Sequence, residues 1–93
     1  MAQWSPDAEM DLDAIWLHQE RWNSAERADQ ICHWLLDFAD TIEPRRWPDA
    51  PVAGAKKVTK DDYVLLVRES DGEVQIIGVF GPGMNWTIHA QQR

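Results

Sequence analysis

Four basic side chains in the second half of this 93-residue chain have the type and spacing best suited to chemistry. Lys56, Lys57 and Lys60 lie within five positions, and Arg68 falls on the predicted neighbouring strand. Cations grouped in this way could bind RNA phosphates, a charged target surface or the carboxylates of a protein partner. Charged side chains also keep edge strands from pairing with other chains, so both interpretations stay open.

Three further side chains could contribute to a site formed by these cations. Tyr63 begins a predicted strand, where its hydroxyl could bond to a partner or lie at the rim of the core. Trp86 is an aromatic residue of the kind enriched at interfaces. His89 could act as a general acid or base, or be a histidine of a frayed tail.

No metal or cofactor site is predicted. His18 and His33 lie on predicted helices with no third ligand evident, which makes metal binding a weak hypothesis. Cys32 is the only cysteine, so an internal disulfide and a Cys-based zinc cluster are excluded. It belongs to an apolar stripe and is interpreted as a small buried hydrophobic residue. No Ser-His-Asp or Cys-His arrangement is visible.

The charge is unevenly distributed. The chain carries a formal charge of −7, and residues 1–50 hold eleven acids and four bases, whereas residues 51–93 hold five of each. An acidic half repels phosphate, so direct sequence-specific binding to nucleic acid is not expected. The length and the 44% hydrophobic content predict one domain over residues 1–93. Because no signal peptide and no membrane span is evident, we expect a cytoplasmic protein.

Two helices are predicted in the first half, after a short strand at residues 2–4. Apolar residues recur at steps of three and four up to about Trp22, and again from Ala28 to Ile42. Pro44 is expected to stop the second helix, and the short link makes the pair an antiparallel hairpin. The expected helix starts are Ser5, Pro6 and Asp7 for the first, and a capping pair of Asn23 and Glu26 for the second.

From residue 55 the period changes to two, which predicts strands. Residues 56–59, 63–68 and 73–80 are expected strands, separated by turns at 60–62 and 70–72. Helices that precede an antiparallel sheet predict an α+β domain, with the helical hairpin packed on one face of a β-meander. The sequence pattern predicts that Trp22, Trp34 and Trp47 are less buried than the core residues. They could lie at the edge of the core or in an interface with a partner.

The order of these elements and two sets of residues resemble the RelE/ParE superfamily. ParE-type toxins typically open with S-P-x-A-x-x-D-L-x-x-I, and residues 4–16 read WSPDAEMDLDAIW. The second half has residues that this family tends to have in the same order, over a resemblance that covers about residues 3–86. These residues are Gly54, Lys56, Val58, Tyr63, Arg68, Asp71, Gly72, Val74, Ile76, Val79 and Trp86.

The resemblance implies the toxin of a type II toxin–antitoxin system, of the kind associated with plasmid stabilization. Its partner would be a cognate antitoxin, ParD-like or similar, that wraps the toxin in a higher-order hetero-oligomer. We expect the antitoxin in the groove between helical hairpin and sheet. ParE-like members inhibit DNA gyrase by binding, whereas RelE-like members cut mRNA on the ribosome with basic residues.

One departure from the family pattern bears on activity. The last segment of family members commonly carries His-Gly-Arg-Arg or similar, but Gly81-Pro82-Gly83-Met84 stands here. RNA cleavage needs an acid or base and cations for the phosphate, so their loss favours inhibition by binding. Two alternatives stay open: an inactive, binding-only member, or an mRNA endonuclease with the catalytic candidates Lys56, Lys57, Arg68 and His89.

Overall fold

The computed structural model describes residues 2–52 and 54–84, in which two helices lie on one face of a four-stranded sheet. The α+β class expected from the sequence is confirmed. Neither helix of this part of the chain is long and apolar enough to cross a membrane. The elements are β1 (Gln3–Trp4), α1 (Pro6–Trp22), α2 (Ala25–Ala39), a 3-10 helix (Pro44–Arg46), β2 (Ala55–Lys60), β3 (Tyr63–Ser70) and β4 (Glu73–Phe80).

The sheet is mixed, in the order β1-β4-β3-β2. Strands β2, β3 and β4 form the predicted antiparallel meander, but β1 runs parallel to β4. The expectation of a wholly antiparallel sheet is therefore corrected. Its physical reason is that no turn joins β1 to β4, because both helices and strands β2 and β3 lie between them in the sequence. A short hairpin turn, which would impose antiparallel pairing, links only β2 to β3 and β3 to β4.

The helices form the predicted antiparallel hairpin. Trp16 Nε1 donates to Asp29 Oδ1 at 2.7 Å, while the thiol of Cys32 lies 3.9 Å from the carbonyl oxygen of Leu12. Leu12 precedes Trp16 in α1, but its contact Cys32 follows Asp29 in α2. The two helices therefore run in opposite directions. Both helices turn a buried face towards the sheet, as the spacing of their apolar residues predicted.

The ends of α2 differ from the sequence-based expectation. Ser24, and not Asn23, caps this helix, since its hydroxyl accepts from the N–H of Arg27 at 3.0 Å. The side chain of Asn23 instead donates to Gln19 at 2.7 Å, which draws it back to α1. The helix ends at Ala39, before the proline at 44 that was expected to stop it. The cap of α1 is the predicted Ser5.

A bulge in β4 sorts its side chains between two cores. The pairing with β3 shifts between Leu66 and Val67, so one extra residue of β4 stands opposite Leu66. As a result Ile76 and Val79, three positions apart, both pack under the helices, although a regular strand would turn them to opposite faces. Ile77 packs with Leu66 in a smaller cluster, without helical residues, on the other face.

Asp11 joins α1 to the part of β4 that β1 does not cover. Strand β1 pairs only as far as Ile76, where the N–H of Ser5 donates to the carbonyl at 2.9 Å. Further along β4, the N–H of Val79 donates to Asp11 Oδ2 at 3.1 Å. A strand N–H in the interior needs an acceptor, and here a helix side chain replaces the missing strand. Val79 itself is fully buried.

We predict that Asp11→Ala destabilises the protein, because the N–H of Val79 loses its acceptor in a desolvated place. The expected loss in the free energy of unfolding is about 1–3 kcal/mol, measured by urea denaturation. Asp13→Ala, an exposed acid of the same helix, is the control for the change in helix propensity and charge. Equal stability of the two variants would contradict the role given to Asp11.

Candidate functional site

A groove centred on Tyr63 runs between the two helices, the β2–β3 turn and the segment 81–84. It consists of two adjoining cavities, of about 620 Å³ and about 430 Å³, which share Gln19, Tyr63 and Pro82. The first lies between α1, α2 and the β2–β3 turn, and the second lies between α1 and the segment 81–84. We call this feature the Tyr63 groove.

Tyr63 is held from both helices. Its ring meets that of Trp34 on α2 edge to face, with centroids 5.8 Å apart. Its hydroxyl accepts a hydrogen bond from Gln19 Nε2 on α1 at 3.4 Å. Burial raises the pKa of Tyr63 above its ordinary value, and the hydrogen bond from Gln19 offsets part of that rise. The side chain of Tyr63 is thus held in place by both helices, and it lines both cavities.

The two halves of the Tyr63 groove differ in polarity. Arg27 lies on one wall of the first half, and Asp61 and Asp62 of the β2–β3 turn lie on another. The second half is bordered by apolar groups, among them Ile15 and Met84. An extended or helical segment with polar side chains at one end and apolar ones at the other fits this arrangement.

An exposed tryptophan stands at the end of α1. Trp22 is 67% exposed, the Arg21 guanidinium lies 5.7 Å from its ring centroid, and the ring of His18 lies 6.2 Å away. His18 itself lines the second half of the groove. Exposed Trp and Arg side chains are common anchors of protein interfaces, which makes this end of α1 a candidate extension of the groove.

The predicted basic residues are distributed over two faces of the sheet. The pairing of Ala55 with Arg68 and of Lys56 with Val67 puts Lys56 and Arg68 on opposite faces. Lys56 Nζ bonds to Asp49 at 2.6 Å, which ties the connection after α2 to β2. The sheet thus separates Lys56, which is paired with Asp49, from Arg68.

Lys60 and Lys57 also lie on opposite faces of the sheet. Lys60 Nζ lies 5.6 Å from the ring centroid of Trp34 and 5.3 Å from that of Phe38, on the helical side. Lys57, paired with Leu66, shares the other face with Arg68. Such cation–π contacts support packing near Trp34 at the edge of the groove. Among residues 2–52 and 54–84, Tyr63 is the predicted binding residue that lies at the centre of the groove.

Among the other predicted residues, His18 lines the second half of the groove. Trp86 and His89 lie outside the described residues. His18 and His33 are exposed on separate helices, and within residues 2–52 and 54–84 no group of three His, Cys, Asp or Glu side chains could hold a metal. Cys32 is buried as expected, and burial, with the charges of Asp29 and Asp13, raises the pKa of its thiol. A thiol of this kind is a poor nucleophile.

Sequence reasoning missed most of the groove wall. The sequence placed Trp34 at the edge of the core or at an interface but did not connect it with Tyr63, whose ring it contacts edge to face. Gln19 and Arg27 carry no periodic or motif signal that could have marked them. Their contribution depends on the crossing of α1, α2 and the β2–β3 turn, which a local pattern does not encode.

Comparison with known proteins agrees with this architecture. No family model matches the sequence, and no curated protein is significantly similar to it. Among solved structures, the chain is similar to a chain in the structure titled "Chromosomal ParDE TA system from P. aeruginosa", with a TM-score of 0.77 and 20% identity. The alignment covers 87% of this chain and 94% of that one. The chain therefore has the ParE-like fold that its sequence predicted.

The titration of Tyr63 offers a direct check on its burial, because it is the only tyrosine of the chain. Tyrosinate absorbance should develop above the ordinary value of about 10 in the folded protein, and at about 10 in urea. Below the unfolded pKa the phenol is neutral in both states and stability is unaffected. As the pH rises from the unfolded to the folded pKa, the unfolded state ionises first and stability falls. Identical titration curves in both states would contradict the buried placement.

Proposed function

We propose that the chain is a ParE-like toxin of a type II toxin–antitoxin system, which acts by binding and is neutralised by an antitoxin in the Tyr63 groove. The observation that carries the proposal is the match of fold to the ParDE structure over 87% of the chain. The groove supports it, since a cavity that crosses both helices and the sheet offers a partner a long, shaped surface.

Binding is a better account of the activity than RNA cleavage. A cleaving site brings a proton donor or acceptor and several cations to one phosphate. Among the described residues, Lys56 bonds to Asp49 on one face while Arg68 points from the other. The acids of the helical hairpin add repulsion towards phosphate.

The antitoxin hypothesis predicts that the product of the adjacent upstream reading frame co-purifies with this chain. Two groove changes, Arg27→Glu and Met84→Glu, should each weaken the complex at least about tenfold, because they alter opposite halves of the groove. Both residues are exposed, so the fold should tolerate the changes. Calorimetry of the purified components measures the affinities.

Arg45→Glu is the matched control for this experiment. Arg45 is exposed on the 3-10 helix, outside the groove, and its replacement changes the charge by the same amount as Arg27→Glu. The control should bind the antitoxin like the unchanged chain. Equal weakening by both arginine variants would indicate a general charge effect and contradict a partner seated in the groove.

We further propose DNA gyrase as the target, on the resemblance of residues 4–16 to ParE-type toxins. Expression without the antitoxin should arrest growth, and the purified chain should inhibit supercoiling of relaxed plasmid by purified gyrase. Addition of the antitoxin should restore supercoiling. Growth arrest with unaffected gyrase would remove gyrase as the target and leave the toxin hypothesis, whereas translated mRNA cut at new positions would favour the endonuclease.

A further inference from the structure

The outer side of α1 carries apolar side chains that the core does not use. Met10 is 68% exposed and Leu17 is 59% exposed, although Ile15 and Ala8 of the same helix are buried. Positions seven apart lie on the same side of a helix, so Met10 and Leu17 form one stripe, with Ala14 between them. We call these three residues the outer stripe.

Acidic side chains run along one flank of the outer stripe. Glu9, Asp13 and Glu20 are separated by four and seven positions, so they share a side of α1, and all three are exposed. Asp29 of α2 belongs to the same region, since it accepts from Trp16 on that side of the hairpin. Burial raises the pKa of the Cys32 thiol between the helices, and the nearby charges of Asp29 and Asp13 raise it further.

An apolar stripe beside a row of carboxylates favours one kind of partner surface. Leu and Met side chains in water favour an apolar partner face, and the carboxylates favour cations along its edge. A helix that is apolar on one side and rich in Lys or Arg on the next satisfies both demands at once. Nucleic acid would be repelled by the same carboxylates. A second copy of this chain would bring two acidic flanks together.

We propose that the outer stripe and its acidic flank form a docking surface for a basic amphipathic helix of another protein. This surface lies on the side of α1 that faces away from the sheet, and it meets the second half of the Tyr63 groove only at Ala14. The proposal stands independently of the identity of any groove partner, because none of its residues except Ala14 lines the groove.

The test uses the full chain and a synthetic helical peptide of about 18 residues, with Leu on one stripe and Lys elsewhere. A peptide of the same composition with the stripe scrambled measures charge attraction alone. We expect the amphipathic peptide to bind at least about tenfold more tightly than the scrambled one. Equal binding of the two peptides would overturn the proposal, since the apolar stripe would then contribute nothing.

Chain variants locate the binding. The double variant Met10→Ser, Leu17→Ser should bind the amphipathic peptide at least about tenfold more weakly than the unchanged chain. Met84→Ser, which changes an exposed methionine of the groove, should leave the affinity for the peptide unchanged. Asp13→Asn with Glu20→Gln should weaken binding and reduce its dependence on salt, compared with the exposed control Glu69→Gln. Unchanged affinity in both double variants would overturn the proposal.

Two further outcomes distinguish this surface from the Tyr63 groove and from a self-association face. Arg27→Glu should leave the peptide affinity unchanged, and a clear gain in affinity would place the cationic peptide beside residue 27 in the groove and overturn the proposal. Analytical centrifugation should show a monomer at the concentrations used. Self-association that disappears with Met10→Ser and Leu17→Ser would identify a second copy as the occupant, and would also overturn it.

Discussion

The rest of the structure depends on the seating of α1 against β4. Two backbone groups fix it: the carbonyl of Ile76 accepts from Ser5, and the N–H of Val79 donates to Asp11. Ala8 and Ile15 fill the space between these bonds and the sheet. Because the bulge in β4 turns Ile76 and Val79 to the same side, the strand offers the helix two apolar contacts and a polar anchor. The polar bonds set the position of α1 along the strand, and the apolar contacts supply most of the burial.

This seating determines both surfaces of the helical hairpin. With α1 fixed along β4, Gln19 reaches the hydroxyl of Tyr63, and Trp34 of α2 reaches its ring. The space left over is the Tyr63 groove. The same seating turns Met10 and Leu17 outward, where nothing in the described part of the chain covers them. A single helix thus provides one wall of an aromatic groove and, on its other side, an apolar stripe with an acidic flank.

The sequence predicted the elements well, because their signals are local. Ser5 and Pro6 mark the start of α1, and Asp71 and Gly72, with φ of 53° and 80°, form a two-residue turn within the turn expected at 70–72. Features that depend on distant residues escaped prediction, namely the parallel direction of β1 and the bulge opposite Leu66. The site shows the same limit. Tyr63 was singled out from its strand, but its neighbours come from three elements that meet only in the fold.

The central claim is that the Tyr63 groove receives the antitoxin. Hydrogen exchange of the chain, with and without the product of the adjacent upstream reading frame, tests it most directly. We expect slower exchange at the groove segments 14–19, 27–34, 61–63 and 81–84 in the complex, and unchanged exchange in the β3–β4 turn at 71–72. A complex that forms while the groove segments exchange as in the free chain would contradict the claim.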